Sequence, residues 1–541
     1  MALTRNANRA GAPGWSTRLA LAAILLGTTL LRLRLLAVPL ERDEGEYAYM
    51  GQLILAGELP YVAAHNMKLP GVYYTYAAIL GMLGETDVAI RLGLLAINLA
   101  TVVLLYLVGR TLLDSVAGVG AAAAYAVLSL SASVAGFSAN AEHFVVAPML
   151  VGVLLLARTE VDGGTRALRL IVGAGIATGI AVLMKQHGAA FVVFGGLAVL
   201  LSRRGTPWQE SARAGLVFGV AACLPFALTC LGMLVAGAFD PFWFWTVTYA
   251  REYMTMIPIA TSLRWLRDAS VEIVGASSAL WLLAALGLSA LAWDQRSRRH
   301  ARFLVLFVGC STLAVALGLR FTDHYFVLLL PAASLLVGVA ASALARAMAL
   351  GSPMRGRALA LGLVGVAVAL SLAQERAYLF SLSPLGVSRA VNGTNPFPEA
   401  VEIARYLRTH AAPDDRIAVL GSEPEIYFYA RRRAATTFVY AYPMMEQHPF
   451  ARAMQTEMIT QLEREPPRYM VLVNVPTSWS RRTHSSHLLL DWAEDIVNRE
   501  YEPVGLAEIL PGQPTRYRWD AEAHGAEPSS SLYVATFRRR S

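Results

Sequence analysis

The chain has 541 residues, of which 56% are hydrophobic and only 16% charged. Soluble domains carry about 25% charged residues, so this composition excludes an ordinary soluble enzyme and indicates a polytopic membrane protein. The net charge of +8 then reads as cytoplasmic-loop anchoring rather than nucleic-acid binding, and the three cysteines, all inside apolar runs, indicate neither a disulfide framework nor a metal cluster.

In chain order, the first apolar run covers 17–37. Arg32 and Arg34 interrupt its end and no small-residue cleavage site follows, so it is expected to stay as a signal anchor. Next comes "ERDEGEYAYMG", from Glu41 to Gly51, with four acids among its first six residues. Segment 71–84, "GVYYTYAAILGMLG", is too short to span comfortably and reads as an interfacial helix. Further spans are expected at 87–109, 116–135, 142–157, 168–184, 188–202, 213–236, 271–293, 302–319, 325–346 and 357–376, roughly eleven in all by hydropathy.

Short-loop Lys and Arg set the sidedness. Arg5, Arg9 and Arg18 place the N-terminus inside. Alternate loops carry Arg158, Arg166 and Arg169; Arg203, Arg204 and Arg213; Arg296, Arg298, Arg299 and Arg302; and Arg346, Arg355 and Arg357. An odd span count then puts the C-terminal region outside the cytoplasm. Near residue 380 the pattern changes. "FPEAVEIARYLRTHAAPDD" reads as a helix, "RIAVLG" as a strand, "EPEIYFYARR" as a helix and "TTFVY" as a strand. Residues 449–465 read as a helix and "RYMVLVNV" as a strand. This alternation predicts an α/β domain. The expected organisation is a transmembrane module over 1–379, with a first outer loop at 38–86, and an extracytoplasmic α/β domain over 380–541.

The unusual polar residues gather at the outer ends of the spans: Asp43 and Glu44; Asn140, Glu142 and His143; Lys185, Gln186 and His187; and Arg320, Asp323 and His324. Ionisable residues at membrane spans are functional candidates by default. Each also has a plainer reading. Asp43 and Glu44 solvate a loop, Glu142 favours a helix N-terminus, Lys185 snorkels, and His324 is a structural histidine. Trp243, Trp245 and Trp265 read as part of the aromatic belt. The sequence holds no Walker loop, G-x-S-x-G elbow or H-E-x-x-H helix, which argues against an ATP-driven pump. Carboxylates and imidazoles at these positions are compatible with a divalent cation, without a diagnostic spacing.

"RDEGEYAYMGQLILAGELPY" followed by "HNMKLPGVYY" resembles the first extracytoplasmic loop of family 39 glycosyltransferases, which belong to the GT-C superfamily and include protein O-mannosyltransferases and lipid A aminoarabinose transferases. "SANAEHF", "MKQHG", "DHYFVLLLP" and the C-terminal "IAVLGSEPEIYFYARRRAATTF" fit the same group in order. The resemblance implies a sugar donor on a polyprenyl phosphate and inverting transfer to a hydroxyl of a glycan, lipid or protein at the outer face of a bacterial cytoplasmic membrane. It implies Asp43 as the catalytic carboxylate and Lys68 as the donor-phosphate ligand. Some lipid A transferases have arginine three residues after the aspartate, where this chain has Glu46; the phosphate is then held differently, or the substrates differ.

The chemistry expected of these residues is acid–base and electrostatic. An ionised carboxylate takes the acceptor's proton, here Asp43 with Glu44 as a helper. Fixed cations stabilise the departing phosphate, here Lys68 and Lys185 with Arg320 and His324 in support. Glu142, His143, Gln186 and Asp323 are candidates for substrate or cation binding. The alternative reading is a transporter or flippase of lipid-linked glycans, which calls for mid-membrane polar sites and internal repeats. A membrane scaffold whose outer domain binds a partner is a third reading.

Overall fold

The computed structural model describes residues 14–159, 164–202 and 207–540. Arg5, Arg9, Arg203 and Arg204 of the loop-charge pattern lie outside the described residues. The chain divides into two units, one of residues 1–36, 91–232 and 257–381, the other of residues 37–90, 233–256 and 382–541. The second unit thus gathers the first loop segment and part of a later one with the C-terminal region.

The first unit is built from apolar helices. Among the described residues, seven helices are long and apolar enough to cross a membrane: Trp15–Arg34, Asp87–Leu112, Ala141–Thr159, Arg166–Met184, Trp208–Val235, Leu330–Ala347 and Pro353–Gln374. The remaining expected spans fall on the shorter apolar helices Ser115–Leu128, Gln186–Leu201 and Ala301–Ala316, and on the pair Ile259–Ala276 and Ser278–Trp293. That pair bends by 102° because Ser277 leaves helical geometry, with φ −145° and ψ 43°.

Close packing of this unit rests on small residues. A Cβ on Gly338 would lie 2.3 Å from the Ala117 carbonyl oxygen, so helices Leu330–Ala347 and Ser115–Leu128 approach backbone to backbone. Arg346 joins the ends of three elements, bonding Asp294 through two nitrogens at 2.6 and 3.0 Å and Asp114 at 3.3 Å. Arg32, which interrupts the first apolar run, is buried and donates to the carbonyls of Gly136 and Ser129, both at 2.9 Å. Those hydrogen bonds offset part of the cost of burying a guanidinium.

The second unit contains a five-stranded mixed sheet. Its strands are β1 (Ile417–Leu420), β2 (Tyr469–Asn474), β3 (Tyr501–Glu508), β4 (Arg516–Trp519) and β5 (Tyr533–Arg539), in the order β1-β2-β5-β3-β4. β1 and β2 are parallel; the other pairings are antiparallel. The helices expected from "FPEAVEIARYLRTH", "EPEIYFYA" and 449–465 form at Phe397–His410, Glu425–Ala430 and Ala451–Arg464.

Three expectations change here. "TTFVY" is not a strand, because other partners take its backbone groups. The Gln461 Oε1 accepts from the Thr437 N–H at 2.9 Å, and the His65 N–H donates to the Thr437 carbonyl at 2.8 Å. The acidic segment after the first span is not a loop but the start of a helix, Arg42–Leu55. Trp245 is not a belt residue: it is 3% exposed and packs against His65, Phe438 and Tyr249.

Candidate functional site

The helix Arg42–Leu55 begins with a capping box. The Glu41 carboxylate accepts from the Glu44 N–H, and the Glu44 carboxylate accepts from the Glu41 N–H, each at 3.2 Å. This satisfies two of the orphan donors at the helix start. It also gives Glu44 a place in the cap, where its side chain is buried.

Capping fixes the helical phase, and the phase sorts the acids. Asp43 and Glu46 stand three residues apart and so share a face. Lys68 reaches that face from the residues just before the helix Pro70–Leu83. Its Nζ lies 3.1 Å from Asp43 Oδ1 and 3.4 Å from Glu46 Oε2, and 4.9 Å from the Tyr47 ring centre. The Tyr61 hydroxyl donates to the Lys68 carbonyl at 2.7 Å, fixing the backbone from which the lysine extends.

Tyrosines orient the two carboxylates. The Tyr73 hydroxyl donates to Glu46 Oε1 at 2.5 Å. The Tyr440 hydroxyl donates to Asp43 Oδ1 at 2.7 Å, and the Tyr47 hydroxyl reaches Asp43 Oδ2 at 3.5 Å. Burial, then the charges of Asp43 and Glu46, hold the Tyr440 phenol well above its usual range, so it stays a donor. Beside Asp43, Arg42 is tied to the Ser422 carbonyl at 2.6 Å and to Glu423 at 3.0 Å.

Exposure separates the roles these groups can take. The Asp43 side chain is 21% exposed, Lys68 11% and Glu46 1%. Of the two carboxylates that face Lys68, Asp43 is the more open to solvent. Burial pushes the Glu46 carboxyl up to about 7, against the opposing pull of Lys68. His65, hydrogen-bonded to Thr437, is held down at about 4 by burial and stays neutral.

A second polar cluster forms within the first unit. Glu142 opens the helix Ala141–Thr159 and is ion-paired with Lys185, which follows the helix Gly164–Met184. His324 Nε2 lies 3.9 Å from Glu142 Oε1, and Lys185 Nζ stands 4.0 Å from the Tyr325 ring centre. The His187 ring donates through Nε2 to the Leu317 carbonyl at 3.1 Å. Glu142 Oε2 has no hydrogen-bond partner among the described residues.

The candidates thus fall in two groups, Asp43 with Lys68 and Glu142 with Lys185 and His324. His143 is buried, and neither of its ring nitrogens has a hydrogen-bond partner among the described residues. Gln186 and Arg320 are half-buried and Asp323 is exposed. Among the described residues, no group of three or more His, Cys, Asp or Glu side chains is arranged to hold a metal ion.

Sequence reasoning missed Glu46 as the second partner of Lys68, although its three-residue offset from Asp43 was visible. It also missed Tyr73 and Tyr440. Tyr73 stands in "KLPGVYY", beside Lys68 in the chain. Tyr440 lies 397 residues from Asp43, with no local signal.

Residues 67–230 match the family model described as dolichyl-phosphate-mannose-protein mannosyltransferase. No curated protein sequence matches the chain. Among solved structures it is similar to ArnT from Cupriavidus metallidurans bound to undecaprenyl phosphate, at 15% identity and TM-score 0.59, covering 97% of this chain and 98% of that one. The apo state of the same ArnT gives 12% identity and TM-score 0.60 over 96% and 98%. The archaeal oligosaccharyltransferase AglB from Archaeoglobus fulgidus, in complex with an inhibitory peptide and a dolichol-phosphate, gives 14% identity and TM-score 0.52 over 94% and 75%. Across nearly its whole length the chain has the fold of these ArnT and AglB structures, and its residues 67–230 match the dolichyl-phosphate-mannose-protein mannosyltransferase model.

Proposed function

We propose that the protein is an inverting glycosyltransferase that moves a sugar from a polyprenyl-phosphate donor to an acceptor hydroxyl at the outer face of the membrane. The observation that carries this reading is the pairing of an accessible carboxylate, Asp43, with a nearly buried lysine, Lys68, at 3.1 Å. Proton acceptor and phosphate-binding cation are thereby held side by side. The match of residues 67–230 to the mannosyltransferase model, and the lipid phosphates in the similar ArnT and AglB structures, support it.

The acceptor oxygen attacks the anomeric carbon as the bond from that carbon to the phosphate oxygen breaks. The acceptor's proton passes to Asp43, and the electron pair of the breaking bond leaves with the polyprenyl phosphate. Lys68 faces the developing phosphate charge in a site largely shielded from water, where a fixed cation acts strongly. Tyr440 holds Asp43 in orientation. In the first unit, Glu142, Lys185 and His324 form a substrate-binding cluster of their own, with Lys185 as its cation.

The test is Asp43→Asn, assayed for sugar transfer from polyprenyl-phosphate donors. General-base catalysis contributes about 10²- to 10⁴-fold, and a loss of that size at normal expression is expected. Undiminished transfer removes Asp43 from the role. Substrate movement across the membrane without covalent transfer, in the wild type, replaces this reading with the transporter.

A further inference from the structure

A cleft of about 270 Å³ in the second unit is walled by Gln52, Leu55, Glu85 and the consecutive arginines 431–433. Three observations bear on what it holds. The first is charge: three arginines and one carboxylate, Glu85, line the cleft, and the Glu85 Oε2 accepts from Gln52 Nε2 at 3.0 Å. Arg433 is paired with Glu58 at 2.7 Å, and that pair is half-exposed. Arg432 is committed to structure, donating to the carbonyls of Arg408 and Ala411 at the C-terminal end of the helix Phe397–His410. Arg431 bonds the Glu85 carbonyl at 3.2 Å and is exposed.

The second observation is backbone geometry. Arg431 follows the helix Glu425–Ala430 with φ 51° and ψ 45°, the left-handed region. Glycine and asparagine suit that position best. An arginine persists there and turns the chain so that its neighbours border one cleft.

The third is position in the chain. Glu85 lies two residues before Asp87, where a 26-residue helix long and apolar enough to cross a membrane begins. Leu55, which lines the cleft, is 46% exposed; Met82 and Leu83, just before Glu85, are 75% and 52% exposed. Basic side chains beside exposed apolar ones, at the mouth of a membrane-crossing helix, suit a lipid with an anionic headgroup.

We infer that this cleft binds the phosphate of an anionic phospholipid, with Arg431 and Arg433 facing the phosphate and Leu55, Met82 and Leu83 facing the acyl chains. This site is separate from the Asp43–Lys68 pair and does not depend on the transferase reading.

The experiment uses the full chain in nanodiscs of equal parts phosphatidylcholine and phosphatidylglycerol, with retained lipids identified by native mass spectrometry. The wild type is expected to retain phosphatidylglycerol preferentially. Basic residues near an anionic surface contribute about fivefold in affinity each, so Arg431→Gln with Arg433→Gln weakens the preference about 25-fold. Excess inorganic phosphate should leave the retained lipid in place, whereas added sodium chloride should weaken the preference in the wild type. The melting temperature of the double variant in phosphatidylcholine alone establishes that it is folded. Equal retention of the two lipids by the wild type overturns the inference, as does an unchanged preference in the folded double variant. Displacement of the lipid by inorganic phosphate assigns the cleft to a free anion instead.

Discussion

Replacing Glu46 by glutamine isolates the role of the buried acid beside Lys68. In the wild type, Lys68 is shared between Asp43 and Glu46, and an ionised Glu46 opposes a phosphate that seeks the same ammonium. At a separation of about 4 Å, like charges repel by roughly 4 kcal/mol at an effective dielectric of 20, an upper bound for the effect. Donor binding is therefore expected to favour the protonated form. Glu46 is pushed up to about 7 by burial, so the protonated fraction falls from about nine-tenths at pH 6 to about one-tenth at pH 8. Affinity for the donor should drop about tenfold over that interval, as expected for uptake of a single proton. Glutamine is neutral throughout, keeps an acceptor for the Tyr73 hydroxyl, and should flatten the profile. The two proteins should bind alike at pH 6, and the variant about tenfold more tightly at pH 8. The assay is equilibrium binding of a non-transferable polyprenyl phosphodiester, whose single charge does not titrate in this range. Glu41, pushed up to about 8 first by burial and then by the charges of Asp43 and Glu44, adds a shallow slope common to both proteins. Identical slopes in wild type and variant, or a wild-type affinity that rises with pH, refute the reasoning.

Tyr440→Phe removes one hydrogen bond to a carboxylate, a bond contributing roughly 1.5–3 kcal/mol. Transfer measured as kcat/KM should fall about tenfold to a hundredfold, and Tm should fall by the few degrees that the loss of such a bond implies. Gly45→Ala should destabilise the second unit by about 1–3 kcal/mol, the usual cost of overpacking. Its new methyl would lie 2.5 Å from the Glu425 Cβ and 2.6 Å from the Glu425 nitrogen, and thermal unfolding reads the loss. Glu142→Ala leaves a buried Lys185 without its ion-pair partner, which costs about 3–5 kcal/mol. The yield of folded protein should collapse in that variant and recover when Lys185→Met is added, as measured by size-exclusion chromatography.

Much of this protein is legible locally. Hydropathy located the apolar helices of the first unit, except that residues 259–270 of the helix Ile259–Ala276 fell outside the expected span 271–293; burial in lipid or protein demands continuous apolar runs, and those runs are a property of adjacent residues. Alternating strand and helix patterns placed four of the six elements read between 397 and 474 within a few residues, with the helix at Glu425–Ala430 shorter than its pattern. "TTFVY" was misread because its β-propensity is real, yet a side chain from Gln461 and a backbone N–H from His65 compete for its amides. Propensity contains no information about such distant partners. The acidic cluster shows the same division. Its position after the first span marked it out, and its "K-x-P-G" partner segment named Lys68. Only the folded helix gives each acid its own place, with Glu44 in the cap, Asp43 on the accessible face, and Glu46 in a buried pairing with Lys68 and Tyr73. Side chains one residue apart on a helix diverge by about 100°, so phase decides what each acid meets. The sequence by itself determined the membrane class, the helical segments and the identities of the charged groups, because those depend on composition and short-range periodicity. The tertiary structure alone decided which charge faces which, since the Tyr440–Asp43 contact closes a loop of 397 residues. Such a contact exists only where packing of the second unit holds its two ends together.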